Sequence, residues 1–503
     1  MNDNRTKNSI RNIVMGLLYR TANILLPFVI KSILINALGV EYLGLNSLFS
    51  SILNILNLTE FGFASAITYK MYEPAANNDT EKLSELLSVY KKIYKVIGII
   101  ILIVGIILLP FIPNLISGTY PAEINLNSIY LVYLCNSVLS YLLFAYKGAL
   151  FSAYQRLDIQ SIISALIMFG MNACQIVILL LFRDYNMYLI LMPMFTVANN
   201  LIVAYVTKKK FPQVTTKKIE NKAVYRDIFG KAGAMFGHKL NYVIVTSANS
   251  IIISSFLGLT VLAQYSNYYT VLNVVIGFID TITQAVLPSI GNLLVEGNQK
   301  KTNRIFEVLS FAQYWGVGWC CVCLVCLYQP FMRLWMGDAM MLDMYVVILF
   351  ALYLFSYKAR TIVLLFKDAA GMWNEDLFKP YVSAVCNIVL NVSLVRISGI
   401  YGVLISTIIA FAVISFPWES MIVVRKILKS SAKKFYSSSL TYLLQALAIT
   451  FVTFKLCERV TGEEGIIDFI VRVLICVFIP NVLYFVFNFK TDNFKYLLSI
   501  LKK

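Results

Sequence analysis

Long runs of apolar residues alternate with short polar segments along this chain of 503 residues. Each run is about 20 residues or longer, which lets a helix cross the roughly 30 Å hydrocarbon layer of a membrane while satisfying its own backbone groups. The pattern therefore predicts fourteen transmembrane helices. They are expected at residues 10–37, 42–68, 93–116, 127–153, 159–182, 187–207, 234–256, 261–290, 305–330, 344–366, 378–396, 400–424, 435–455 and 466–488.

The first twelve predicted helices form an internal repeat. Leu38-Gly39-Val40 corresponds to Leu257-Gly258-Leu259 at an offset of 219 residues, and Ser164-Ala165 corresponds to Ser383-Ala384 at the same offset. A constant offset along two halves of a chain indicates duplication. Because each half holds an even number of helices, both have the same topology. They are expected to be related by a pseudo-two-fold axis along the membrane normal.

The predicted fold is an all-α polytopic membrane protein of two six-helix lobes and two further helices. The N-terminal lobe is expected at residues 1–207, a basic cytoplasmic linker at 208–228 and the C-terminal lobe at 229–430. Residues 431–503 would add two transmembrane helices and a cytoplasmic tail. The connections are too short for a soluble domain, so the function is expected to lie within the membrane.

Composition and charge agree with this class and set the orientation. The chain is 59% hydrophobic and 14% charged, with a net charge of +17. Of its 43 lysines and arginines, 31 fall in the termini and in alternate connections, which places both termini and the linker in the cytoplasm. We expect the linker lysines to contact anionic lipid headgroups. Binding of a nucleic acid is the alternative, and it is not expected.

Among the cations inside apolar segments, the strongest candidates for chemistry are Arg20, Lys31, Lys239 and Arg360. A charge at membrane depth is costly unless it lines a cavity or meets a partner. Arg20 and Lys239 occupy equivalent positions of the repeat. Two such cations facing one water-filled cavity between the lobes predict an anionic substrate.

Other polar positions recur on the same helix faces at the spacing of an α-helix. The amide and phenol side chains expected to line the cavity are Asn23, Asn46, Asn57, Tyr242 and Asn273. Glu60 and Asp280 are candidates for ion coupling, and the alternative for each is a counter-ion role beside a cation. An ion pair between Arg20 and Glu60 is the structural alternative to substrate binding at Arg20.

The sequence predicts no catalytic residue, metal site or cofactor. Cys320, Cys321, Cys323 and Cys326 superficially resemble a metal cluster, but they lie in an apolar segment without a nearby histidine or carboxylate, which favours small buried residues. His238 is the single histidine of the chain. No glycine-rich Walker loop is present, which argues against ATP hydrolysis.

Two stretches of sequence resemble Wzx-type polysaccharide flippases. The first runs from Leu38-Gly39-Val40-Glu41-Tyr42-Leu43-Gly44-Leu45-Asn46 to Leu58-Thr59-Glu60-Phe61-Gly62-Phe63. The second is Lys367-Asp368-Ala369-Ala370-Gly371-Met372-Trp373-Asn374-Glu375-Asp376, followed by Gly399-Ile400-Tyr401-Gly402-Val403. The resemblance covers nearly the whole chain. It is to the polysaccharide transport family, in a superfamily that also holds multidrug exporters and lipid II flippases.

The resemblance implies a bacterial cytoplasmic-membrane flippase. It would move undecaprenyl-pyrophosphate-linked oligosaccharides to the outer leaflet for capsule, exopolysaccharide or O-antigen synthesis, by alternating access and with ion coupling. A polymerase and chain-length machinery are the implied partners. Because family members commonly have twelve spans, the last two helices would be an addition. The alternatives are a multidrug or lipid II exporter of the same superfamily and, from another class, a membrane transferase acting on lipid-linked sugars.

Overall fold

Helices and the turns between them make up the described chain. The computed structural model describes residues 2–60, 63–216, 223–460 and 465–501, and for some of these, most of them within 2–18 and 223–242, it describes the backbone only. No β-strand occurs in these ranges. A helix satisfies its backbone groups internally, as hydrocarbon requires. The predicted all-α polytopic fold is confirmed.

The chain divides into two compact units, Met1–Ala263 and Gln264–Lys503. The helices that begin before Gln264 are α1 Asn2–Leu38, α2 Val40–Leu56, α3 Phe63–Ala76, α4 Thr80–Leu108, α5 Leu126–Leu142, α6 Ala149–Ala153, α7 Leu157–Leu181, α8 Tyr185–Lys210, α9 Ala223–Leu257 and α10 Leu259–Gln284. The lobe and linker boundaries expected from the sequence stay a prediction.

Nine further helices complete the second unit. They are α11 Leu287–Val295, α12 Gln299–Met336, α13 Met344–Lys358, α14 Thr361–Ala369, α15 Lys379–Ile409, α16 Phe416–Ile422, α17 Ala432–Val460, α18 Ile466–Asn488 and α19 Asp492–Leu501. Short 3-10 turns lie between some helices of both units, at Asn57–Glu60, Leu109–Leu115, Ala145–Gly148, Asp338–Met340 and Asn374–Asp376. Two π-helical segments, Ala410–Ser415 and Val423–Ile427, flank α16.

The number of membrane crossings differs from the sequence prediction. By length and apolar composition, ten helical segments of the described chain qualify as spans, or eleven if the bent pair Leu126–Leu142 and Ala145–Ala153 is one span. One of the ten, Asn374–Ile427, contains a break at Ser398 and Gly399. Two apolar segments, Val40–Leu56 and Val243–Leu257, are too short to qualify. A count of fourteen is therefore not confirmed.

Two glycines at equivalent positions of the sequence repeat make equivalent turns. Gly39 separates α1 from α2 with a φ of 121°, and Gly258 separates α9 from α10 with a φ of 88°. Residues that carry a side chain rarely adopt these positive φ values, whereas glycine does so without steric cost. The repeat thus marks the same structural junction in both halves of the chain.

A third glycine turn folds α15 back on itself. Gly399 has a φ of 56°, and a Cβ added to Gly402 would lie 2.3 Å from the carbonyl oxygen of Leu394, so the chain passes very close to itself. Ser383 lies before the turn and Ser415 after it, and their Oγ atoms are 3.2 Å apart. The two arms of this hairpin are therefore antiparallel.

The two helices outside the repeat pack on the long helix α12. Trp315 Nε1 on α12 donates to Asn481 Oδ1 on α18 at 2.9 Å, and Tyr314 OH donates to Ser439 Oγ on α17 at 3.0 Å. Gly318 leaves room for Tyr484, whose hydroxyl would lie 1.9 Å from an added Cβ. Helices in membranes associate through small residues and side-chain hydrogen bonds of this kind.

Candidate functional site

Three of the predicted substrate-binding side chains lie on α1. Arg20 and Asn23 are exposed and Lys31 is partly buried. Their spacing of three and eleven residues places them on one side of the helix. The Asn23 amide also donates to the backbone oxygen of Tyr19 at 3.0 Å. The helix thus carries a polar stripe within an apolar span that covers residues 19–38.

The repeat-related positions on α9 cannot be compared at the side-chain level. The backbone at Lys239 and Tyr242 is helical, but the side chains of both lie outside the described residues. The same applies to the side chain of His238. The roles predicted for Lys239 and Tyr242 stay predictions.

Glu60 lies at the end of the 3-10 turn that follows α2 and is held by tyrosines. Tyr94 OH on α4 donates to Glu60 Oε1, and Tyr141 OH on α5 donates to Oε2 at 2.7 Å. Tyr90 OH donates to Tyr94 OH at 3.0 Å, and the two rings stack with centroids 4.5 Å apart. We call Tyr90, Tyr94 and Tyr141 the tyrosine cage. Both carboxylate oxygens are thus bound by neutral hydroxyl donors.

Two predicted asparagines on the same segment also contact α5. Ser137 Oγ donates to Asn57 Oδ1 at 2.7 Å, and Tyr133 OH donates to Asn46 Oδ1 at 2.7 Å. Ser50 Oγ, one turn along α2, donates to the same Asn46 oxygen at 3.4 Å. The carbonyl oxygens of both asparagines are therefore used within the unit, and a ligand would have to use their amide nitrogens.

The second unit holds a different arrangement, in which Arg360 is buried beside Glu419. Its Nη1 donates to both carboxylate oxygens at 2.6 Å, and Lys379 Nζ donates to Glu419 Oε1. Lys379 also lies 3.5 Å from Asp376 Oδ2, which accepts from Lys367 Nζ at 2.5 Å. We call these five residues the buried ionic network, since none exposes more than 5% of its surface.

A ladder of uncharged polar side chains continues from this network along the α15 hairpin. Ser383 and Ser415 share a hydrogen bond, and Asn387 Nδ2 donates to Thr407 Oγ1 at 3.4 Å. Asn391 Nδ2 donates to Asn387 Oδ1 at 3.1 Å. All five side chains belong to residues with 0% exposure. Side chains four residues apart lie on one helix face, so the ladder ties the two arms together along their length.

The remaining predicted positions lie on α10. Asp280 Oδ1 accepts from Lys358 Nζ at 2.6 Å, and the Lys358 side chain is only 4% exposed while that of Asp280 is 40% exposed. Lys358 Nζ also lies 4.2 Å from the ring centroid of Tyr357. Asn273, two turns before Asp280, is exposed. Asp280 therefore forms an ion pair with a buried lysine, and the role predicted for it stays a prediction.

The predicted residues have different surroundings in the two units. Glu60, Asn57 and Asn46 form one polar face toward α4 and α5, whereas Arg360 belongs to the buried ionic network. The roles predicted for these residues in transport stay predictions. Sequence reasoning did not select Glu419, although a lone carboxylate inside the apolar segment 400–424 is a signal of the kind used for Glu60 and Asp280.

Potential metal ligands also occur in the described part of the chain. The Sγ atoms of Cys326, Cys457 and Cys476 lie within 4.8 Å of one another, and all three residues are buried. Only Cys326 belongs to the cysteine run considered from the sequence. The other two are contributed by α17 and α18.

Known proteins resemble this chain in sequence and in fold. Residues 9–294 match the family described as Polysaccharide biosynthesis protein. Among curated proteins, none matches this chain. Among solved structures, the inward closed conformation of the lipid II flippase MurJ is 16% identical, with a TM-score of 0.69, over 94% of this chain and 98% of its own.

Two MATE transporters are also similar in fold. An inward-facing multidrug resistance MATE family transporter of the MOP superfamily is 14% identical, with a TM-score of 0.63, over 84% of this chain and 99% of its own. A MATE transporter of Vibrio cholerae is 13% identical, with a TM-score of 0.52, over 86% of this chain and 99% of its own. At such identities these structures establish the shared fold of a multi-pass membrane protein. Because the family match spans more than half of the chain, this protein belongs to the polysaccharide biosynthesis protein family, as its sequence motifs indicated.

Proposed function

We propose that this protein is a flippase that moves undecaprenyl-pyrophosphate-linked oligosaccharide units across the bacterial cytoplasmic membrane by alternating access. The observation that carries the proposal is the family match over residues 9–294. The units would supply a surface polysaccharide, and a polymerase with its chain-length machinery would act on them outside. Both termini would lie in the cytoplasm. The protein would act as a transporter rather than an enzyme.

The polar stripe of α1 suits the charged part of that substrate. A pyrophosphate carries two or more negative charges and loses its hydration in an apolar layer, so cations must replace water around it. Arg20 supplies a planar guanidinium that binds phosphate oxygens in pairs, and Lys31 supplies a compact ammonium on the same side of the helix. Asn23 between them would donate to a sugar hydroxyl. Lys239 and Tyr242, at the repeat-related positions of α9, would add to the polar lining.

Glu60 is the proposed site of ion coupling in the first unit. A carboxylate bound by neutral hydroxyl groups can take up a proton without leaving an uncompensated cation beside it. Asp280 is less suited to this role, because protonation would leave the buried ammonium of Lys358 without its counter-ion. A proton entering at Glu60 would rearrange the hydroxyl groups of Tyr94 and Tyr141, which belong to α4 and α5.

Transport assays on four variants test this function. In a host that lacks its own flippase, lipid-linked oligosaccharide reaching the outer leaflet would be measured together with protein abundance. We expect Arg20→Ala to reduce delivery about tenfold or more at normal abundance, and Arg20→Lys to retain part of it. Arg425→Ala, which removes an exposed arginine near the end of the second π-helical segment, serves as the matched control and should deliver normally.

The fourth variant separates substrate binding from a structural ion pair. If Arg20 only neutralised Glu60, the combined change Arg20→Ala with Glu60→Ala would restore abundance and transport. Full delivery by this double variant would therefore overturn substrate binding at Arg20. Uptake of a cationic drug, with no delivery of oligosaccharide by the unaltered protein, would favour the multidrug alternative.

The orientation is tested separately by chemical labelling. In a background without native cysteines, a cysteine at Lys301 should be protected from an impermeant thiol reagent added outside, whereas one at Glu463 should react. The reverse pattern would place the termini outside and reverse the proposed direction of transport.

A further inference from the structure

Four cysteines from three helices gather where the last two helices meet α12. Cys326 lies on α12, Cys457 near the end of α17 and Cys476 in the middle of α18, and their Sγ atoms lie within 4.8 Å of one another. Cys323, one turn before Cys326, packs against the same cluster. We call these four residues the thiol cluster. More than 100 residues of sequence separate Cys323 and Cys326 from Cys457 and Cys476, so the fold brings the two pairs together.

The thiol cluster lies in an apolar core. Cys326, Cys457 and Cys476 belong to a core that also contains Val322, Ile449 and Tyr484. Cys326 is 1% exposed, and Cys457 and Cys476 are 0% exposed. A site built of sulfur atoms without carboxylate or imidazole selects soft or borderline metal ions.

We propose that the thiol cluster binds one Zn²⁺ ion. Cys323 and Cys326 have the two-residue spacing that structural zinc sites use for a pair of ligands, and Cys457 and Cys476 supply the remaining two of a tetrahedral set. At a Zn–S distance of about 2.3 Å, tetrahedral sulfur atoms lie about 3.8 Å apart, so the sulfurs of Cys326, Cys457 and Cys476 need to close by about 1 Å at most. Cys323, which packs against them, would turn its side chain toward the metal as the fourth ligand.

Binding exchanges protons for the metal in a balanced step. Zn²⁺ enters, each coordinating thiol becomes a thiolate, and one proton leaves for every Zn–S bond formed. Arg472 lies one turn before Cys476 on α18 and places a cation beside the thiolates. Its Nε atom also forms an ion pair with Asp468 Oδ2 at 2.8 Å. The metal would tie α17 and α18 to α12 in addition to the hydrogen bonds of Trp315 and Tyr314.

The proposal differs from the expectation drawn from the sequence. That expectation treated the cysteine run of α12 alone, and within it only Cys323 and Cys326 belong to the thiol cluster. The two partners that complete the set lie 131 and 150 residues beyond Cys326 in the sequence. Their proximity depends on how α17 and α18 pack.

Metal analysis of the full-length protein tests the proposal. The protein would be purified in detergent from zinc-containing medium, its affinity tag removed, and its zinc, copper and iron measured per chain. We expect about one zinc per chain and less than about one tenth of that in the variant Cys457→Ala with Cys476→Ala. The matched control, Cys135→Ala with Cys386→Ala, changes two cysteines outside the cluster and should keep its zinc.

A second measurement on the unaltered protein does not depend on the variant folding. X-ray absorption at the zinc edge should show a shell of sulfur atoms at about 2.3 Å. A shell of oxygen and nitrogen would overturn the site, as would an absence of zinc in the unaltered protein, a different metal in its place, or unchanged zinc in the cluster variant.

Discussion

Glu60 and Glu419 both lie in segments that the sequence predicts to cross the membrane, but their carboxylates are bound by different kinds of partner. Glu60 accepts hydrogen bonds from the hydroxyl groups of Tyr94 and Tyr141, whereas Glu419 accepts from Arg360 and Lys379. A carboxylate among neutral donors can change its protonation state without stranding another charge. A carboxylate between two buried cations cannot. The first arrangement suits a moving part, and the second suits a fixed one.

Removing the carboxylate of Glu419 should have the largest effect. In Glu419→Gln the buried ionic network would keep three cations but only one carboxylate, that of Asp376. Breaking a buried ion pair in this way costs about 3–5 kcal/mol of unfolding free energy. We expect low abundance in the membrane and a clearly lower midpoint of thermal unfolding in detergent. Glu296→Gln is the control, because its pair with Lys301 is half exposed and should cost about 0–1 kcal/mol. Equal stability of the two variants would contradict the comparison.

Removing the charge of Glu60 should impair transport instead of folding. Glu60→Gln keeps an oxygen acceptor for one tyrosine and cannot titrate, so we expect normal abundance and transport reduced about tenfold or more, in line with usual coupling energies. The dependence of transport on pH should flatten at the same time. The measurement is oligosaccharide delivery over a range of external pH. Destabilisation as large as that of Glu419→Gln would assign Glu60 a structural role.

Substitutions in the tyrosine cage should have effects that depend on which hydroxyl group is removed. Tyr141→Phe removes one hydroxyl donor from Glu60 and is expected to cost about 1 kcal/mol of unfolding free energy, because a partly buried carboxylate oxygen loses one hydrogen bond. Tyr90→Phe is the matched control, since the Tyr90 hydroxyl contacts Tyr94 and not the carboxylate. Thermal unfolding and the pH profile of transport would be recorded for both. A larger effect in Tyr90→Phe would argue against direct control of Glu60 by the cage.

The smallest expected effect belongs to the uncharged ladder of the α15 hairpin. Ser383→Ala and Ser415→Ala each remove one side of a single neutral hydrogen bond, at a cost of about 1 kcal/mol. The double variant should cost less than the sum of both, because the two changes remove the same bond. Additive losses would show that the two hydroxyl groups act independently.

Much of the fold follows from local sequence signals. Hydropathy located the helices, and the repeated Leu-Gly pair located equivalent junctions, because glycine is needed where φ is positive. The number of crossings was harder to obtain, although the predicted breaks at 38–41 and 397–399 include the junctions at Gly39 and Gly399. The short helix α2 and the hairpin α15 do not have the simple length of one span.

The candidate site was predictable only where it depends on one helix. Helical spacing placed Arg20, Asn23 and Lys31 on one face of α1. It could not find the partners of Glu60, because Tyr94 and Tyr141 lie 34 and 81 residues further along the chain. It could not place Arg360 beside Glu419 either, because Glu419 approaches only after α15 has turned at Gly399. The predicted role of Arg360 in a cavity stays a prediction.

The α15 hairpin also has a consequence for how the protein is made. Lys379 is synthesised 40 residues before Glu419, so the first arm leaves the ribosome when Asp376 is the only carboxylate of the buried ionic network yet made. At about 5–20 residues per second, Glu419 follows about 2–8 s later. Until then Asp376 is shared by Arg360, Lys367 and Lys379, and burying a cation without a partner is costly. We therefore expect the first arm to reach its final depth only when the second arm has brought Glu419, which would make assembly sensitive to translation speed across residues 380–419.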